Sequence, residues 1–209
     1  MPVSPAFQPL PGSESLVAAW PTLRRDLFSQ PDSYFARTPA NPTYGKPGWT
    51  RDAGKRFHGG VDIAPLQRRP AGQSVRLMFT DLATGNEYPA EAPAWVPEDE
   101  VFAVSAGVVE EAVTQEEASD FGLHVLIRHQ WPDSGHTFFT LYGHLSALHV
   151  SVGQPVSAGM AIGLMGTTSR MTDARLWMAA FPHLHFEAWD AGRRRYDPLE
   201  FLRRCLPHV

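Results

Sequence analysis

Of the 209 residues only one, Cys205, is a cysteine. One sulfur can build neither an intrachain disulfide framework nor a thiolate metal site, so any metal must be held by histidine and carboxylate. Long apolar runs are also missing. No stretch approaches the ~20 residues that span a bilayer, and no membrane span is expected. The opening MPVSPAFQPLPGSESLVAAW lacks the basic and then apolar pattern of an export signal. Nor is there an excess of basic charge: 18 Lys and Arg against 22 Asp and Glu give a formal net charge of −4. Polyanion binding normally needs a basic face that releases counterions, so nucleic acid is not expected as a partner.

What is present fits an ordinary globular chain, 43% hydrophobic and 19% charged, with enough length for one substantial core. The first dozen residues, rich in Pro and Ser, read as a tail. Ser13 to Phe28 carries a mixed helical spacing interrupted by Pro21 and predicts one or two short helices. We therefore divide the chain into residues 1–40, a tail with a short helical segment, and 41–209, the functional domain. Residues 38–60, dense in Pro and Gly, predict irregular surface chain.

From Val101 onward the pattern becomes short strands and turns. HVLIRH and TFFTLYGHL flank the turn-rich WPDSGH and predict adjacent antiparallel strands; AIGLMG and HLHFEAW supply two more. DPLEFLRRCL reads as a closing helix with Asp197 as N-cap and Pro198 at its first position. The fold class expected is mainly β, a single domain on antiparallel sheets with short N- and C-terminal helices.

Three local patterns carry chemistry. In PHLHFEAW, a strand places His183 and His185 on one face and sends Leu184 and Phe186 into the core. Alone, this fits two exposed surface histidines equally well. His58-Gly-Gly-Val-Asp62 sets a histidine and a carboxylate beside glycines that disfavour a helix by about 1 kcal/mol each and favour a tight turn. Tyr142-Gly143-His144 ends an apolar strand whose alternation predicts Tyr142 and His144 on one face. Each of these two, alone, is better read as structural. Together the three supply two imidazoles and a carboxylate for a zinc ion with one position open to water, and two more histidines for proton handling.

HGGVD, YGHLS and HLHFE, in that order, resemble the signature of the lysostaphin-type (LytM-like) zinc endopeptidases, which cut peptide bonds in bacterial cell-wall cross-links and bridges. The similarity runs over His58 to Ala64 and Val101 to Leu202. It implies a duplicated-hybrid-motif β fold, one Zn2+ held by His58, Asp62 and His185, and catalytic roles for His144 and His183 beside the water. Which of those two is the general base stays open. It also implies a peptidoglycan peptide as substrate partner and a place in the envelope or outside the cell, although the absence of a visible signal peptide leaves the cytoplasm open. A non-catalytic wall-binding or regulatory member of the same fold, or a peptidase acting on non-wall peptides, is the alternative.

Two insertions depart from the family pattern. Near 66–99, SVRLMFTDLATGNEY predicts a hairpin-like arm followed by a Pro-rich loop, PAEAPAWVPEDE. Near 167–182, TDARLWMAAF predicts a short helix capped near Thr172 or Asp173, close to the cleft because it leads into His183. Both either narrow the groove or merely elaborate the surface. His124, His129, His136, His149 and His208 match no motif and are expected to be structural or surface residues. Cys205 is expected to be buried, and Tyr44, Trp49 and Tyr142 are candidate substrate contacts.

Overall fold

The computed structural model describes residues 6–11, 18–25, 27–29, 43–81 and 83–205. Its strands are β1 (Gly48–Arg51), β2 (Arg56–His58), β3 (Val61–Ile63), β4 (Arg68–Thr80), β5 (Glu87–Pro97), β6 (Glu100–Phe102), β7 (Gly107–Val113), β8 (Leu123–Gln130), β9 (Thr137–Leu148), β10 (Pro155–Val156), β11 (Ala161–Met165) and β12 (Leu184–Asp190). Two α-helices are described, α1 (Thr172–Ala180) and α2 (Pro198–Cys205). The mainly β architecture on antiparallel sheets is what the chain adopts.

An eight-stranded sheet carries the order β10-β7-β8-β9-β11-β6, and β12 joins β9 to β3. Its centre is β9, whose one edge pairs with β8. Its other edge is shared: β12 takes residues 138–143 and β11 takes 145–148. His144 sits at that fork. There the register against β8 slips, because Leu145 pairs with Leu123 and Tyr142 with Val125. Gly143 and His144 thus oppose the single residue His124, a bulge. His144 takes a left-handed backbone, φ 62°.

The main core lies on one face of this sheet, where Val61, Ile63, Val125, Ile127, Phe138, Tyr142, Leu145 and Phe186 pack with Phe201 and Leu202 of α2. Strand alternation puts Leu126, Phe139 and Leu141 on the other face, with Phe121 and Trp189 beside them. Helix α2 begins as expected: Asp197 Oδ1 accepts the Leu199 amide at 2.8 Å, and Pro198 needs no partner at the first position. Cys205 is buried in the core, and burial pushes its thiol up to about 12.

Four expectations change. The described part of 13–28, residues 18–25 and 27–28, is turning or extended, not helical, and the rest lies outside the described residues. Pro21 stops a helix, and the Ala19 amide donates to Val104 O across to the core instead. Within 38–60, residues 43–60 hold the β1–β2 hairpin, not irregular chain; Gly48, Asp52 and Gly54 take left-handed backbone in it (φ 93°, 53° and 86°), and Phe57 packs on Trp49. The Pro-rich stretch after the arm is no loop. Its residues 89–97 lie in β5, where proline is tolerated because, among the described residues, β4–β5 is a two-stranded sheet with free edges. Helix α1 forms as expected, but Met171 is its N-cap residue and no side chain caps it.

Candidate metal and hydrolytic centre

Asp62 and His185 meet because β3 and β12 pair antiparallel with these two residues opposite one another. His58 ends β2 and is brought over them by Gly59-Gly60. A Cβ at Gly60 would lie 2.5 Å from His185 Cε1, so the close approach of ring and backbone requires glycine there. His185 Nδ1 stands 2.9 Å and His58 Nε2 3.3 Å from Asp62 Oδ1, and the two ring nitrogens are 3.3 Å apart. Donor atoms about 2.0–2.1 Å from a tetrahedral ion lie about 3.3 Å from each other, so these residues fit a small divalent ion. Two imidazoles and a carboxylate are a donor set that suits zinc. All three residues are buried.

His183 and His144 complete the group. Their rings stand 5.1 Å apart, edge to face, and His183 Nε2 is 3.6 Å from Asp62 Oδ1. Each donates its Nδ1–H to a backbone carbonyl, His144 to Thr168 at 2.8 Å and His183 to Phe181 at 2.9 Å. Nε2 is therefore the basic atom of both. All five residues singled out in the sequence, His58, Asp62, His144, His183 and His185, converge.

Tyr142 and His144 do not share a face. Tyr142 opposes Phe186 and is buried in the core, where its hydroxyl accepts the Val104 amide, so it is no substrate contact. Gly143, opposite His185, belongs to the site face. Strict alternation would return His144 to the core; its left-handed backbone at the bulge swings it to the site.

Three further groups were not assigned from sequence. His58 Nδ1 donates to Lys46 O at 2.9 Å. Glu187 Oε1 accepts His185 Nε2 at 2.9 Å, while its Oε2 accepts Trp189 Nε1 and Arg195 Nε, each at 2.6 Å. The alternation that joined His183 to His185 extends to Glu187 and pointed to it. Arg51 donates through Nη2 to Asp62 Oδ2 at 2.5 Å and to His58 Nε2 at 2.8 Å. Nothing in its spacing signals this, since a 3-10 turn at Asp52–Gly54 intervenes.

Burial pushes His58 and His183 down and His144 well down, so all three rings are neutral at pH 7. Burial pushes the Asp62 carboxyl up, but His58, His183, Arg51 and the His185 hydrogen bond together hold it well below the usual carboxylate range. Burial also opposes the charge of His185, yet hydrogen bonds to Asp62 and Glu187 raise it to about 9. Glu187, despite its burial, falls to about 2 beside His185 and Arg195.

The two insertions pack on each other. Leu77, Phe79 and Ala92 of the β4–β5 arm enclose a small second core with Ala180 of α1, and Trp177 and Phe181 pack against it. Phe79 meets Trp177 edge to face at 5.2 Å. Phe181, the C-cap of α1, supplies the carbonyl that holds His183. The arm and helix therefore lead directly to the site. Tyr44 lies under Arg51, 4.2 Å from its guanidinium, and Trp49 is half exposed. His124 and His129 are buried with backbone acceptors, Gly122 O and Ala106 O. His208 lies outside the described residues.

The sequence profile described as Peptidase family M23 matches residues 92–198. That span includes His144, His183 and His185 and begins within β5, so His58 and Asp62 stand outside it. The chain is 43% identical over 86 residues, 41% of its length, to the peptidoglycan DD-endopeptidase ShyA of Vibrio cholerae. It is 37% identical over 93 residues, 44% of its length, to an uncharacterized metalloprotease of Haemophilus influenzae. Each match spans 16% of the relative. Among solved structures, the catalytic domain of lysostaphin from Staphylococcus simulans is similar over 77% of this chain and 90% of that one, at 24% identity and a TM-score of 0.45. With a match over half its length, the chain belongs to peptidase family M23.

Proposed function

We propose that the chain is a zinc-dependent endopeptidase that hydrolyses peptide bonds in peptidoglycan cross-links or bridges, using one ion held by His58, Asp62 and His185. The observation that carries this is the spacing of the three donor atoms, 2.9 to 3.3 Å, with two neutral imidazoles beside them. Membership of a peptidase family and the 43% identity to a peptidoglycan endopeptidase support the reaction and the substrate class. An envelope or extracellular site of action follows from that substrate. Among the described residues no helix is long and apolar enough to cross a membrane.

When bound, zinc supplies the Lewis acidity that makes water a competent nucleophile near neutral pH and polarises the scissile carbonyl. The chain supplies the rest. Nε2 of His144 or His183 accepts the proton of the attacking water, and the Thr168 or Phe181 carbonyl then stabilises the charged ring through its Nδ1–H. That proton is returned to the leaving amine nitrogen, while the second, neutral imidazole offers its Nε2 to the proton that the product carboxylic acid releases. His183 is buried and His144 half-buried, so each ring keeps only limited contact with bulk water.

Digestion of purified wall material, with mass analysis of the released peptides and metal analysis of the protein, tests this. One zinc per chain and cleavage at a peptide bond are the expected results. Cleavage only of free peptides would remove the wall from the proposal, and no cleavage with zinc bound would make the chain a binding member of the family.

A further inference from the structure

Arg51 closes β1 with its guanidinium inside the site, the side chain only 15% exposed. Its Nη2 serves two acceptors, Asp62 Oδ2 and His58 Nε2, and the guanidinium lies over the Tyr44 ring. Its Nε is buried with no hydrogen-bond partner among the described residues.

The two acceptors differ in what they have to give. Asp62 has two oxygens; Oδ2 takes Arg51, while Oδ1 faces His58 and His185. His58 has one lone pair. Its Nδ1–H is committed to Lys46 O, which leaves Nε2 as the sole basic atom of the neutral ring, and that atom accepts Arg51. It is also the atom with which His58 would bind an ion. One lone pair cannot serve a guanidinium N–H and a metal together.

We propose that Arg51 is a resident cation of the site: it competes with the metal for the His58 lone pair, releases that atom when the ion enters, and keeps Asp62 turned so that it presents a single oxygen. The inference rests on the zinc reading above. Without an ion, Arg51 provides the buried Asp62 carboxylate with the counter-charge that such a group needs. Entry of the ion would break the Arg51–His58 bond and bring like charges together, so the apparent affinity is scaled down to the fraction of molecules in which Arg51 leaves His58 free. The unpartnered Nε leaves the guanidinium anchored mainly through Nη2, which suits a group that exchanges partners.

The experiment compares wild type with Arg51→Gln for zinc affinity, by competition against a chromophoric chelator, and for thermal stability after chelation. Arg51→Gln is expected to bind zinc tighter by on the order of tenfold, and its chelated form is expected to melt lower than chelated wild type. Weaker or unchanged zinc affinity overturns the proposal; a loss of about 10–100-fold would make Arg51 an ordinary support of the ligands. Should chelated Arg51→Gln fail to fold, side-chain 15N spectra of wild-type arginine decide instead. The Arg51 Nη signals are expected to move on addition of one equivalent of zinc, and their constancy overturns the proposal. If wild type and variant alike bind no zinc, the functional reading itself falls and takes the inference with it.

Discussion

His144 and His183 stand edge to face, 5.1 Å between ring centroids, and each gives its Nδ1–H to a backbone carbonyl. Two bases with the same tautomer reach one site from different elements, the bulge of β9 and the residue before β12. Neither is among the three residues whose donor atoms lie close enough together to hold an ion.

This separation predicts two classes of variant. His144→Ala or His183→Ala should keep about one zinc per chain and lose turnover by about 10²–10⁴-fold. Asp62→Asn or His185→Ala should lose zinc and turnover together. Metal analysis beside single-turnover kinetics distinguishes the classes, and a fully active His144→Ala would remove the proton-transfer role assigned to it.

Glu187 orients His185 from the side opposite Asp62, since it accepts Nε2–H while Nδ1 faces the carboxylate. Glu187→Gln keeps the shape and removes the charge. Zinc affinity should fall by about 10–100-fold, as for other outer carboxylate partners of ligand imidazoles. Chelator competition reads this directly, and an unchanged affinity would make Glu187 only the anchor of Trp189 and Arg195.

Strand periodicity and three short motifs make the sheet and all five candidate residues legible in the sequence. HLHFE worked because alternation is strict along β12. The same rule misplaced His144, because a bulge opposite His124 and a left-handed backbone are not written in YGHLS. Arg51 escaped for another reason: it reaches Asp62 and His58 across a strand, a 3-10 turn and a second strand, and no local period connects them. In β5 the prolines suggested a loop, since propensity alone does not reveal that the strand has a free edge.

The second core between arm and α1 has a functional consequence, because Phe181 both packs against it and holds His183. Phe79→Ala empties a buried position whose truncation typically costs about 3–5 kcal/mol in a packed core. Turnover should fall while zinc affinity stays unchanged, since His58, Asp62 and His185 lie on β2, β3 and β12. If neither quantity moves, the insertions are surface elaborations with no hold on the site.

His185 also predicts how stability depends on pH. Raised from 6.5 to about 9 between Asp62 and Glu187, it contributes stability that is fully present below the unfolded value and is lost as pH rises through about 9. The gap corresponds to about 3 kcal/mol at most. Glu187, lowered from 4.5 to about 2, acts at the other end: its contribution is present above 4.5 and lost as pH falls through about 2. For chelated protein the pair is thus most stabilising between 4.5 and 6.5. Zinc at Nδ1 must displace the proton of His185, so its dissociation constant should fall about tenfold per pH unit until about 9 and then level off. Denaturant midpoints of chelated protein and chelator titrations across this range measure both slopes. A zinc affinity that is flat between pH 7 and pH 9 would mean that His185 is already neutral there, and the assignment of a charged imidazole between the two carboxylates would fail.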